Sequence, residues 1–203
     1  GSSNPGTTIF TLRGSGITDI DSGLDPDGTL YGIAVTGTDN DNGHWEYKLS
    51  GGVYALINPV NDNNALLLRD DDMIRFIPDG DWSGLADMTF RAWDQAQGTG
   101  GMEGQYVDVS NNGGIQAYST DDDAAVSIIN PINDAPVIDA DYAFTVTSIN
   151  EDCNNTDGSY DCEDGSSNPG TTIFTLRGSG ITDIDSGLDP DGTLYGIAVT
   201  GTD

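Results

Sequence analysis

Residues 87–94 read DMTFRAWD, and in them Met88, Phe90 and Ala92 fall on one side of an extended chain while Thr89, Arg91 and Trp93 fall on the other. Period-two alternation marks a strand, because successive side chains of extended backbone point to opposite faces. Similar short runs occur near Thr7–Leu12, Leu30–Thr36, His44–Leu49, Val53–Asn58, Asn64–Arg69, Met73–Ile77, Ile115–Tyr118, Ala124–Ile129 and Tyr142–Ile149. Clusters of Gly, Asn, Asp and Pro separate them, as turns require. No segment carries a sustained helical period. The expected class is all-β, with two packed antiparallel sheets of Greek-key type rather than a closed barrel.

Working outward, residues 1–39 reappear without change as residues 165–203, so the sequence holds one unit of 164 residues and the first 39 of the next. Structural repeats normally drift and keep only an apolar pattern, so an exact copy points to a tandem array longer than this sequence. In such arrays each unit contacts its neighbours, and the product is a spacer, stalk or filament. The boundary between units is best placed at INPINDAP, residues 129–136, where Pro131 and Pro136 break pairing and favour an extended connector. Residues 1–134 then form a repeat lacking its N-terminal strand. Residues 135–203 form the N-terminal part of the next, with Tyr142–Ile149 expected as its opening strand.

Six Lys and Arg stand against 34 Asp and Glu, a formal net charge of −28. Nucleic-acid partners are excluded, since their phosphates are held by cationic contacts. Leu, Ile, Val and Phe make up roughly a fifth of the residues, near the level at which highly charged chains fail to fold unaided. The acids gather in turn-like groups between apolar runs, which is how oxygen ligands for a hard cation such as calcium are presented. The competing reading is a solvated surface that keeps a secreted protein soluble.

The chain's two cysteines, Cys153 and Cys162, sit in the polar stretch CNNTDGSYDC, where a disulfide closing the loop is preferred over two free thiols. Their spacing matches neither a redox CxxC nor a zinc finger, and His44 is the chain's one histidine. No apolar stretch approaches the ~20 residues of a membrane-spanning helix. No signal peptide is visible, as expected of a segment that opens inside an array.

Several motifs in order carry a likeness: ITDIDSG at residues 17–23 and again at 181–187, GIAVTG at 32–37, DNGHWEYKLSGG at 41–52, and LLLRDDDMIRFIPDGDWSG at 66–84. They continue through TFRAWDQ at 89–95, NDAP at 133–136 and INED at 149–152. Together they resemble the cadherin-like tandem repeats of giant bacterial surface adhesins. The resemblance implies an Ig-like, cadherin-like sandwich with calcium at the junction of successive domains. Carried over, the implied ligands are Glu151 or Asp152, then Asn133 and Asp134 of the linker, Asp183 and Asp185 with Asp19 and Asp21 as copies, and Asp94. Two features depart from it: the unit is longer than a typical cadherin domain, and the Cys-bearing loop has no counterpart.

These readings imply a non-enzymatic extracellular or cell-surface module whose partners are neighbouring repeats, or copies of itself, joined head to tail. One alternative is a separate fibre subunit completed by donated strands, which open sheet edges permit. Another is a carbohydrate-binding module, if Trp45, Trp82 and Trp93 face outward with Tyr47, Tyr54 and Tyr106 to stack on glycans. Asp70–Asp72 with Asp79 and Asp81 read either as a second ion site or as solvated turns, and Asp121–Asp123 as a solvated loop. Paired carboxylates can also hydrolyse glycosides, but that chemistry needs a cleft, which repetitive turns do not suggest.

Overall fold

The computed structural model describes residues 4–19, 31–146, 170–183 and 195–201. It falls into two compact units, Gly1–Asn130 and Pro131–Asp203. The first is built from β1 (Thr7–Thr8), helix α1 (Ile9–Arg13), β2 (Gly32–Thr38), β3 (Gly43–Lys48), β4 (Ala55–Leu56), β5 (Ala65–Arg69), β6 (Met73–Pro78), β7 (Gly84–Trp93), β8 (Tyr106–Val107) and β9 (Tyr118–Ile129). One sheet runs β1-β6-β3-β4 and the other β8-β5-β2-β7-β9. Every pairing is antiparallel. The all-β class therefore holds.

The two sheets share one core. Ile33 and Val35 of β2, Leu66 and Leu68 of β5 and Ala86, Met88 and Phe90 of β7 meet Trp45 of β3 and Ile74 and Phe76 of β6. The alternation of residues 87–94 decides this: Met88 and Phe90 point into the shared core, while Trp93 points the other way. A register shift opposite Arg91 and Trp93 falls on the β9 side, between Asp122 and Tyr118, while over the same residues β7 keeps regular register with β2. Trp93 joins a second cluster with Ala34, Leu67, Val109 and Tyr118 under the loops that follow β7. Its indole N–H donates to Thr99 Oγ1 at 2.8 Å, and that of Trp45 donates to the Asp39 carbonyl at 3.1 Å. Both buried polar tips are thus satisfied.

Four expected segments differ. Thr7–Leu12 is a strand only at Thr7–Thr8; Ile9–Arg13 winds into one helical turn. Thr8 caps it by accepting the Thr11 N–H, and the Ile9 and Phe10 N–H groups donate to the carbonyls of Asp72 and Asp70. Ile9 and Leu12, three apart, then both meet the core, which alternation would have kept on opposite faces. Ile115–Tyr118 is a turn that reaches strand only at Tyr118. Asp121–Asp123 are not a loop but lie inside β9, an exposed edge strand where charge discourages pairing with other chains.

The fourth difference lies in the second unit. Its described ladder joins β10 (Val137–Ile138) to β11 (Ile181–Thr182), preceded by helix α2 (Ile173–Arg177). The strand expected over Tyr142–Ile149 is absent from residues 142–146, which form a turn and irregular backbone; 147–149 lie outside the described residues.

The acids after β5 are structural. Asp70 takes both ends of the Arg13 guanidinium at 2.6 Å, and Asp71 lies 3.5 Å from Arg69. Asp72 is fully buried, its carboxylate accepting the backbone N–H groups of Ser50 at 2.9 Å and Arg69 at 2.7 Å. Burial nonetheless outweighs those bonds and holds its pKa above the ordinary value of 3.8. Replacing Asp72 by Ala strands two buried donors, for an expected loss of about 2–3 kcal/mol in urea unfolding. A raised carboxyl pKa means that the ionised form costs the native state. That cost is present above the native value and vanishes as pH falls to 3.8, so the gap between wild type and the Ala variant widens across that interval.

Candidate functional site

The implied calcium ligands sort by topology. In the second unit the β10–β11 register pairs Val137 with Thr182, so one further step sets Asp183 opposite Pro136. Asn133 and Asp134 are exposed, and the Asn133 side-chain amide donates to the Asp134 carbonyl at 3.0 Å. Asn133, Asp134 and Asp183 thus all lie in sequence beyond the Val137–Thr182 end of the ladder. Glu151, Asp152 and Asp185, which the resemblance adds to this set, lie outside the described residues, as do Cys153 and Cys162.

Asp94 and Asp19 belong to the first unit. Asp94 follows Trp93, which pairs with Tyr118 at the start of β9, whereas the chain leaves this unit after Ile129, paired with Gly84. Asp94 and Asn130 are therefore separated by the length of β9, about 35 Å at the usual rise per residue. Within a unit, Asp94 sits at the end opposite the exit and forms no common site with it. The Asp94 carboxylate accepts the Ala96 N–H at 2.8 Å, and burial followed by this negative charge raises the Tyr118 pKa. Asp19 is half-buried, and its companion Asp21 lies outside the described residues. Among the described residues no group of three or more His, Cys, Asp or Glu is placed to hold a metal ion.

Four of the six cations are paired with acids. Arg13 pairs with Asp70, Arg69 with Asp71 and Glu103, Arg75 with Glu46, and Arg91 with Asp62. With six Lys and Arg against 34 acids, the protein's own side chains cannot neutralise the acid surface. The residues proposed to stack on sugars are mostly otherwise engaged. Trp45 and Trp93 are buried, Trp82 packs edge-on against Phe76 at 5.9 Å, and Tyr54 is covered by the Arg75 guanidinium at 3.7 Å.

Sequence reasoning passed over a groove of about 700 Å³ in the first unit, between the β1–β6 side of one sheet and β9 of the other. Leu12, Ile17, Phe76 and Phe90 supply apolar surface, with Thr18 beside them; Arg13 and Arg75 and the run Asp121–Asp123 supply opposite charges. The signal was present in the duplicated sequence, because Ile17 and Thr18 are copies of the β11 residues Ile181 and Thr182.

No helix among the described residues is long and apolar enough to cross a membrane. Comparisons with models of known protein families, with curated proteins and with solved structures gave no match to this chain.

Proposed function

We propose that the chain is a non-enzymatic extracellular structural repeat of cadherin-like, Greek-key sandwich type, joined head to tail into a calcium-stiffened stalk or filament of a giant surface adhesin. The observation that carries this reading is the exact duplication of residues 1–39 as 165–203 together with its reproduced local structure. Thr172 caps α2 as Thr8 caps α1, and Gly178 and Gly14 end the two helices at φ of 46° and 50°. Arg177 lies over Phe174 and Tyr195 at 5.0 and 4.5 Å, as Arg13 lies over Phe10 and Tyr31 at 5.2 and 4.7 Å. Each copy begins the same way, which suits a chain whose function is repetition. Calcium is supported by the acid excess and by the register that leaves Asp183 beyond the same end of the ladder as Asn133 and Asp134.

Junction variants test the site. Asp134→Ala, and separately Asp183→Ala with Asp185→Ala, are expected to leave the core of the first unit folded while making the 203-residue chain shorter on average and more flexible in calcium. Small-angle scattering reads both quantities. Wild-type dimensions in both variants, with calcium present, would place the ion elsewhere or nowhere. A fibre of separate subunits is the second reading, favoured by the open groove. Denaturing electrophoresis of the native material separates the two: a very high-mass band or ladder for a continuous array, bands at the mass of one unit for subunits.

A further inference from the structure

The two copies of TTIFTLRGSGIT stand in different surroundings. In the second unit, Val137–Ile138 pairs with Ile181–Thr182, and the Asp139 N–H donates to the Gly180 carbonyl at 2.8 Å. The chain then turns, and the rings of Tyr142 and Phe144, edge to face at 4.9 Å, come down on the backbone of Gly178 and Gly180. The approach is close enough that a Cβ on Gly180 would run into the Tyr142 ring and lie 2.7 Å from Phe144 Cζ. Ile181 is buried there at 7 % exposure.

In the first unit nothing among the described residues covers the same positions. A Cβ on Gly14 would meet nothing within 4 Å, and one on Gly16 would meet only the Arg13 carbonyl at 3.2 Å. Gly16 is exposed and Ile17 only half-buried, although two sheets stand beside them. Ile17 and Thr18 line the groove between those sheets instead of pairing with a strand. Among the described residues, identical sequence in near-identical local conformation thus has an occupied seat in one place and an unoccupied one in the other.

We infer that the groove beside Gly14–Thr18 is the seat for residues 137–144 of another copy of the unit, the one joined ahead of it in the same chain. Val137 and Ile138 pair with Thr18 and Ile17 in the β10–β11 register, and Tyr142 and Phe144 cover Gly14 and Gly16. At the occupied seat an aromatic ring lies where a Cβ on Gly178 or Gly180 would stand, and the same glycines recur at Gly14 and Gly16. In the second unit the tongue of residues 137–144 and its seat lie on the same side of the Asn130–Pro131 boundary, so each sandwich is closed by the segment that follows the preceding copy's β9. The inference rests on the head-to-tail reading but not on calcium.

A synthetic peptide of residues 131–146, added to the 203-residue chain in excess calcium, is the probe. Saturable binding of one peptide per chain is expected, with a rise in the melting temperature of the first unit. Peptides carrying Tyr142→Ala with Phe144→Ala should bind at least tenfold more weakly. Gly16→Ala in the chain should weaken the wild-type peptide at least tenfold, while Gly180→Ala should not. The chain lengthened at its N-terminus by residues 131–164 should no longer take up the peptide. Absence of binding to the 203-residue chain, binding indifferent to the aromatic pair or to Gly16, or undiminished binding by the lengthened chain would each overturn the inference. Loss of it would leave the junction variants free to stiffen or soften as calcium dictates, so the two failures are distinguishable.

Discussion

Replacing Phe76 with alanine is expected to cost the first unit about 3–5 kcal/mol, the usual range for truncating a buried aromatic ring. Phe76 is 2 % exposed at the centre of the shared core, edge-on to Trp45 at 5.4 Å and to Trp82 at 5.9 Å. Truncation removes both aromatic contacts and leaves a cavity that β3 and β6, registered through Trp45 opposite Phe76, cannot collapse to fill. The same ring borders the groove proposed as the tongue's seat, so the variant should also lose the peptide. Since domains of this size are stable by only about 5–15 kcal/mol, the change brings the first unit near its unfolding limit. A urea titration followed by tryptophan fluorescence gives the number, because Trp45, Trp82 and Trp93 all lie in this unit. A loss below about 1 kcal/mol would mean that the sheets do not share this core.

The class and most strands were legible because period-two patterning is written directly in residues such as Met88, Phe90 and Trp93. Alternation even set Trp93 on the face opposite Met88, where the second cluster receives it. The turn at Ile9–Arg13 was not legible. Its apolar residues fit either period, and the choice is made by the Thr8 cap and by carbonyls of Asp70 and Asp72, distant in sequence. The acids after β5 read equally as ion ligands or as solvated turns because composition does not say which carboxylates have partners. Asp72 meets two backbone donors and Asp70 meets Arg13 only once the chain is folded. The second unit's pairing strand was sought five residues too late, at Tyr142, because ring-bearing residues mimic strand pattern; in fact Tyr142 and Phe144 serve to cover glycines. Of the candidate ligands, the position of Asp134 and Asp183 beyond one end of the β10–β11 ladder follows from its register, while the separation of Asp94 from the exit end needed the length of β9.

Calcium removal is the second large effect. A net charge of −28 opposes compaction, and an ion that binds only the native state stabilises it by about 2.7 kcal/mol per site at a hundredfold excess over Kd. Magnesium should replace it poorly, because it requires a smaller octahedral shell and gives up water reluctantly. Protease sensitivity should rise in chelator and fall again when calcium returns. The most direct measurement is the thermal unfolding midpoint in chelator, in calcium and in magnesium, all at one ionic strength so that screening is constant. A calcium-stiffened repeat predicts a midpoint higher by several degrees in calcium alone. Identical midpoints in all three would contradict it and leave the acids as a solubilising surface.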